Sequence, residues 1–541
     1  MTIEKKQPQT KIEVLSSLDQ VKEKVRNIPV CLITTPSPFL ADERVFPFLA
    51  PVKIAAELRK NGNNVELLDL AGYSNFLDIV KEYLQETDIH TFGITATSPQ
   101  IPAAVAIRDT IKEVLPDSKV ILGGPHVTLT HGAMTQDLNA NRKGRGTEDF
   151  NQLVKIFDSL VVGDGEKAIF YAIDQDNHRQ IIEAGSLNSP LFMQKGELEN
   201  FEFPARDLLD MDSYYYYIDG HRAFSLIAQL GCPFECGFCG GRDVQAYRIA
   251  RTRSIESVTT EIKSVVQASI ARANETSDPT KILSAVMFYD DELNVSPSNL
   301  ENLCVSLIDL QKRLGIDMRF RGFVKAELFT QKQADLMFEA GFRILLTGVE
   351  SGSDKILSAM KKHTSREINS RCITYAHNAG LKVKALMSIG HPGESEETIN
   401  DSVEWVISNL KQGDEIDWTI ITQYPGSPYY DRSVYIPEKD AWLYELRGRN
   451  NEIMHLWSKN TDYTRDVYYY KGIPGNYTAY VWTDNLSPEK LVELRDDAEK
   501  TTKLALGLPS ITATSQTQFE HSMGQSLSPR ILRTNRTIYK A

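Results

Sequence analysis

Apolar residues come in short bursts through most of the chain, separated by amphipathic stretches of ten or so residues. Val30–Pro36 (VCLITTP), Asn64–Leu70 (NVELLDL), His90–Thr97 (HTFGITAT), Lys119–His126 (KVILGGPH) and Ser159–Glu166 (SLVVGDGE) read as buried strands. Val52–Lys60, Phe76–Gln85 and Ala103–Val114 carry their apolar residues at helical spacing, and a polar stretch runs from Met134 to Asn151. Near-continuous apolar runs suit strands covered on both faces, so the alternation predicts a parallel, doubly wound sheet. Ligands of such sheets gather at the strand C-terminal ends, where the glycines of GG and GDG let a ligand approach the backbone.

Ile182–Tyr217 reads as a connector, after which the rhythm resumes at Ala223–Leu230 (AFSLIAQL). Later strands are expected at Ala285–Asp290, Met318–Phe323, Ile344–Glu350, Lys382–Gly390 and Asp417–Pro425. Six strands with intervening helices predict a partial or full (β/α) barrel, with its chemistry at the strand C-termini. The expected division is a tail or leading helix over 1–27, a first α/β domain over 28–181 and a connector over 182–222. A barrel over 223–440 follows, then a small, mostly helical region over 441–508 with helices around Pro488–Lys503, and a mobile tail over 509–541.

With 41% hydrophobic and 24% charged residues, the composition is that of a globular protein. The N-terminal stretch MTIEKKQPQTKIEVLSSLDQ has no apolar signal region, and no uncharged apolar run reaches the ~18 residues of a membrane span. A cytoplasmic location is the default expectation. Sixty basic against 72 acidic residues leave a net charge of −12, which disfavours a broad nucleic-acid footprint. Six cysteines do not make a disulfide framework, yet three of them, Cys232, Cys236 and Cys239, fall within LGCPFECGFCGG. The others, Cys31, Cys304 and Cys372, lie in expected strands or helices as small core residues. A zinc ribbon brings two cysteine pairs, and a four-iron cluster ordinarily takes four thiolates. Three thiolates leave one iron open to something exchangeable; a structural zinc or reactive thiols are the alternatives.

The spacing Cys232-x3-Cys236-x2-Cys239, with aromatic Phe238 before the last cysteine, resembles the radical S-adenosylmethionine (SAM) superfamily. The resemblance implies a [4Fe-4S] cluster on the three cysteines, SAM chelating the open iron, and Phe238 against its adenine. FYDDEL resembles the segment near the SAM amino group, which implicates Tyr289, Asp290 and Asp291; GVESGSDKIL resembles the ribose segment, which implicates Glu350 and Ser351. SIGHPGESEET, from Ser388, resembles the GxPGET turn with His391 in its middle, and QYPGSPYYDR, from Gln423, resembles the segment closing strand six. Singly, the aspartates could be helix caps and the Pro-Gly pairs only turns. Their order behind the cysteines carries the resemblance across residues 223–432.

A flavodoxin-like (Rossmann-like) domain ahead of such a barrel, joined by FPARDLLD and followed by RTRS, resembles the cobalamin-binding subfamily. That implies corrinoid contacts from Pro36 and Ser37, from Thr95 and Ser98, from Gly123, Gly124 and His126, and from Gly163, Gly165 and Glu166. Asp88–Gly93 (DIHTFG) fits the DxHxxG pattern of cobalt-ligating histidines, but His90 opens strand three instead of following strand one. The loop that should hold such a ligand, TPSPFLADERVF, has no histidine. Cobalt is then expected five-coordinate, or carrying water or a ligand from elsewhere; a domain that binds no corrin also stays open. The resemblance implies one-electron cleavage of SAM to a 5′-deoxyadenosyl radical, hydrogen abstraction from the substrate, and methyl transfer from cobalamin, with no catalytic residue assigned beyond the cluster and SAM. Its rivals are oxidative cyclisation or rearrangement without methyl transfer, and a cobalamin-responsive binding protein with an idle barrel; methylthiolation of tRNA lacks a second cysteine cluster. The expected partners are a small-molecule or natural-product substrate between the two domains and an electron donor such as flavodoxin or ferredoxin. The aromatic stretch His455–Gly472 could line that substrate's pocket or pack its own region.

Overall fold

A computed structural model describes residues 16–37, 40, 43–448, 451–472 and 476–509. Its first unit is a six-stranded parallel sheet. Across the sheet run Val65–Asp69, Val30–Thr34, Thr91–Thr95, Lys119–Gly123, Ser159–Gly163 and Ile181–Ala184. The order reverses between Val30–Thr34 and Thr91–Thr95, and this switch point opens a crevice at their C-terminal ends. A capping box of Ser17 and Gln20 starts the leading helix Leu18–Val25, whose Val21 and Val25 pack into the core.

Two features extend the sequence expectation. The sixth strand, Ile181–Ala184, pairs Ile182 with Val161, so the first sheet runs past residue 181. Four residues with a glutamate among them carry too little pattern to read as a strand alone; a neighbour's unpaired edge makes it one. The polar stretch from Met134 to Asn151 folds into parts of two helices, Pro125–Asn139 and Arg145–Ile156. Its polarity is spent locally, with Asp137 Oδ2 accepting from the backbone N–H and hydroxyl of Thr147 at 3.0 and 3.1 Å, and Oδ1 from Arg142 at 2.9 Å.

The second unit sets six parallel strands side by side in chain order: His221–Leu226, Ala285–Phe288, Arg319–Phe323, Phe342–Glu350, Lys382–Ile389 and Glu415–Ile420. Its edges are the sixth strand and the short antiparallel Tyr217–Ile218, so the barrel is partial and open on one side. Phe288, Phe320 and Phe342 pack ring to ring at 5.4 to 6.1 Å beneath it.

Residues 441–508 were expected to be mostly helical, and among the described residues there the structure places one helix, Pro488–Ala505. Ahead of it lies a four-stranded antiparallel sheet of Val434–Ile436, Ala441–Arg447, Ile453–Lys459 and Val481–Thr483. Aromatic residues meeting across its strands favour the sheet: Tyr435 and Trp442 lie 5.4 Å apart, and Trp457 stacks on Trp482 at 6.3 Å. The expected tail over 509–541 lies, after residue 509, outside the described residues.

The two units meet at Arg145. From a helix of the first sheet, its buried guanidinium donates to Gln423 Oε1 at 2.5 Å, Ser433 Oγ at 2.7 Å and Ser458 Oγ at 3.1 Å. It also lies 3.7 Å over the Tyr430 ring. One turn on, Asp149 accepts the Tyr430 hydroxyl. Burial pushes the Asp149 carboxyl up to about 7, against the pull of Tyr430 and Arg145. An unfolded aspartate loses its proton near 3.8, so between that pH and about 7 the folded state holds an extra proton. Stability therefore falls as pH rises through that window and levels off above it. Asp149→Asn is expected to flatten this slope by up to about 1.4 kcal/mol per pH unit, read from urea midpoints at pH 5 and 7; an unchanged slope contradicts the assignment.

Candidate active site

The cysteine loop follows the first barrel strand through Gln229–Leu230, which pairs antiparallel with Arg251–Thr252. Four backbone bonds hold it. Cys232 N–H donates to Tyr247 at 2.9 Å, Cys239 N–H to Cys236 at 3.2 Å, Gly237 N–H to Met360 at 2.8 Å, and Tyr429 N–H to Gly237 at 3.1 Å. A Cβ on Gly237 would come within 2.6 Å of the Tyr429 ring, which explains the glycine between Cys236 and Phe238. Arg242 closes the loop from the other side, Nη1 donating to the carbonyls of Cys232 at 2.6 Å and Phe234 at 2.8 Å.

Burial pushes the Cys239 thiol up to about 12, with Cys236 and Cys232 adding to the rise and Arg242 opposing it. The three sulfurs thus share one electrostatic neighbourhood beside one guanidinium. Among the described residues no three His, Cys, Asp or Glu side chains converge as a lone metal ion requires. A cubane makes no such demand, because each cysteine holds its own iron. The donor set, three soft thiolates on one loop, fits that cluster.

Asp290 and Asp291 sit below the loop's entry. Asp290 Oδ2 accepts the Ala228 N–H at 3.0 Å, and burial pushes its carboxyl up to about 7. Burial also raises Asp291, against Arg242 and a backbone bond from Gly231. Tyr289 packs edge-on against Phe46 of the first unit, centroids 5.5 Å apart. Phe238 lies edge-on to His391 at 5.2 Å. Glu350, with left-handed backbone at φ 64°, accepts Lys362 Nζ at 3.1 Å on Oε1 and the Ser388 hydroxyl at 3.0 Å on Oε2. Two of the sequence candidates are committed elsewhere. Ser351 Oγ bonds Ser402 Oγ at 3.1 Å and the Ser353 N–H at 3.1 Å. Gln423 Oε1 takes Arg145 and Ser458 at the junction of the units.

Two cavities open at the C-terminal end of the first sheet. One, about 300 Å3, is a slot lined by Thr95, Gly123, Gly124, Gly163, Gly165 and Glu166 over an apolar floor that includes Leu32, Ile94 and Ile121. Two of its glycines are required: Gly124 has φ 98° with Thr95 Oγ1 2.7 Å from a would-be Cβ, and Gly163 has φ 86° with the Gly185 nitrogen at 2.4 Å. The other, about 580 Å3, lies between the units and is lined by Ser37 and Ser98 from the first, Ile227 and Tyr289 from the barrel, and Tyr424 and Tyr470 beyond it.

Pro36 and His126 are not among the residues that line these two cavities. As the second residue of helix Pro125–Asn139, His126 turns its ring inward, with Nδ1 2.9 Å from Ser98 Oγ, and burial pushes its pKa down to about 3. His90 is exposed just before Thr91–Thr95, at the sheet end away from the cavities. Sequence reasoning missed Arg242, Arg145 and Lys362. Arg242 stood in view three residues after the last cysteine; the other two are aimed by tertiary packing that no local pattern reveals.

Residues 226–406 match the family model described as the radical SAM superfamily. An uncharacterized methyltransferase of Pyrococcus horikoshii is 26% identical over 383 residues, covering 70% of this chain and 77% of its own. The anaerobic magnesium-protoporphyrin IX monomethyl ester cyclase of Rubrivivax gelatinosus is 23% identical over 388 residues, covering 69% of this chain and 63% of its own. Among solved structures, the radical SAM methyltransferase TsrM from Kitasatospora setae, with cobalamin and [4Fe-4S] cluster bound, superposes with a TM-score of 0.57 at 16% identity. The match covers 88% of this chain and 89% of that one, and at this identity it shows the shared fold. The site and fold define an enzyme built on a cysteine loop at the mouth of a partial barrel. Residues 226–406 form a radical SAM domain, set behind a doubly wound sheet.

Single replacements Cys232→Ala, Cys236→Ala and Cys239→Ala are each expected to cost most of the iron and acid-labile sulfide taken up on anaerobic reconstitution. Gly237→Ala should share the loss because of Tyr429. Gly240→Ala should load normally, since its Cβ would meet Leu129 at an ordinary 3.5 Å and the Pro425 carbonyl at 4.0 Å. Equal loading of the two glycine variants would contradict this account of the loop.

Proposed function

We propose that the chain is a cobalamin-dependent radical SAM methyltransferase acting on an unactivated carbon of a small molecule. The observation that carries this reading is the shared cavity: Tyr289, one residue past the second barrel strand, meets the Ser37 and Ser98 loops of the first sheet across it. When bound, the cluster and cobalamin supply the electron that splits SAM and the methyl group that the substrate receives.

The protein's residues bind, orient and exclude water. Cys232, Cys236 and Cys239 hold the cluster, leaving one iron for SAM. Phe238 lies against the adenine, Glu350 takes the ribose hydroxyls, and Asp290 and Asp291 face the amino group from beneath the loop. The glycine-lined slot and the wider cavity beside it would hold the corrinoid, which would supply the methyl group there. Tyr289, Tyr424 and Tyr470 wall that cavity from the barrel side, which keeps a reactive radical from water. Among the described residues that line the cavities there is no histidine, so these would offer cobalt no imidazole. Asp290 and Asp291 also hold the loop by its backbone, so their replacement acts on cluster retention as well as on SAM. Among the described residues no helix is long and apolar enough to cross a membrane. The setting is the cytoplasm, with a flavodoxin or ferredoxin as electron donor.

The relative from Rubrivivax gelatinosus favours a second reading, oxidative cyclisation. Anaerobic incubation of the reconstituted enzyme with SAM, cobalamin, a reductant and small-molecule extracts separates the two. Methyl transfer predicts 5′-deoxyadenosine and S-adenosylhomocysteine together, both abolished by Cys236→Ala. Deoxyadenosine alone supports cyclisation, and neither product sinks both.

A further inference from the structure

His391 is the departure from an ordinary Pro-Gly turn, and nothing above gives it a task. It is fully buried. Its Nε2 lies 2.9 Å from Ser388 Oγ and its Nδ1 3.4 Å from the Tyr429 hydroxyl. The ring stands edge-on to Phe238 at 5.2 Å. The Ser388 hydroxyl reaches Glu350 Oε2 at 3.0 Å, and Lys362 reaches Oε1 at 3.1 Å.

The direction of every bond in this chain follows from its end. The Ser388 hydroxyl donates to Glu350 Oε2, which uses its single proton. Ser388 Oγ must then accept from His391, which puts the imidazole proton on Nε2. Nδ1 is left bare and accepts from Tyr429. Burial pushes His391 down to about 3, with Lys362 adding to the shift, so the ring is neutral and carries one proton. Tyr429 to His391 to Ser388 to Glu350 is thus a one-way relay, and Lys362 completes the hold on the carboxylate. The backbone pays local strain for this arrangement: Glu350, Lys361 and His363 all take left-handed φ, at 64°, 54° and 60°.

We propose that His391 is the positioning residue for SAM's ribose, fixing Ser388 as donor to Glu350 so that the carboxylate's remaining lone pairs face the two ribose hydroxyls. The inference rests on the reading of Glu350 as the ribose ligand. The same relay begins beside the Cys236–Phe238 turn, because Tyr429 holds Gly237 by its backbone and fills the space beside it. Ribose recognition and the seating of the cysteine loop are therefore braced by one set of side chains.

The test uses reconstituted enzyme and two ligands, SAM and L-methionine, which lacks the ribose, each titrated against the EPR signal of the reduced cluster. His391→Leu is expected to weaken SAM about tenfold while leaving methionine unchanged. His391→Gln, whose amide restores the donor to Ser388, should recover SAM affinity to within about threefold of the parent. Two results overturn the inference alone: His391→Leu binding SAM like the parent while Glu350→Gln weakens it, or His391→Leu weakening SAM and methionine alike. If Glu350→Gln leaves SAM affinity intact, the ribose reading falls and the inference falls with it.

Discussion

The loop from Cys232 to Cys239 has no ladder of its own, and everything proposed for this enzyme depends on how it is held. Three thiolates must stand so that each takes a separate iron while a fourth corner stays free. An irregular segment of eight residues would not keep that shape unaided, since ordering each backbone position costs about 1–2 kcal/mol. The constraint comes from outside it. Met360 and Tyr429 grip the two sides of Gly237, Tyr247 anchors Cys232, and Arg242 ties the carbonyls of Cys232 and Phe234 together. These anchors come from separate parts of the chain, so the loop is correct only when the barrel mouth is complete.

The same logic explains where the molecule tolerates unfavourable groups. Asp290 is buried and holds the backbone at Ala228 as the chain enters the loop. Left-handed non-glycine backbone brackets the buried Glu350–Lys362 pair. Burying such a pair contributes little to stability once desolvation is counted, so its persistence beside the cysteines argues for function. The first sheet solves a different problem by subtraction: left-handed glycines at 124 and 163 line the slot where a side chain would run into the backbone of Ala96 and of Gly185. Arg145 then joins sheet and barrel, which fixes the width of the cavity between them.

Much of this was legible in the sequence, and the reasons are specific. Strands covered on both faces show as apolar runs, so VCLITTP, KVILGGPH and ILLTGVE announced themselves. Covalent spacing exposed the cysteine motif, and GG and GDG marked the slot. Other elements depend on partners far along the chain. Ile181–Ala184 is a strand because Ser159–Gly163 offers it an edge, and the C-terminal sheet relies on aromatic pairs that only its register brings together. His126 looked like a ligand-facing residue after GGP, but the turn into its helix points it at Ser98. Ser351 and Gln423 matched in position while the Ser351 hydroxyl is held by Ser402 and the Gln423 side-chain oxygen by Arg145, partners invisible without the fold.

The account stands on one iron being unlike the other three. Reconstitution with 57Fe and Mössbauer spectroscopy, before and after SAM is added, tests this most directly. The prediction is a [4Fe-4S] spectrum in which SAM shifts the parameters of one iron in four and leaves the rest alone. Four irons indifferent to SAM, or a chain that takes up no cubane at all, would contradict it.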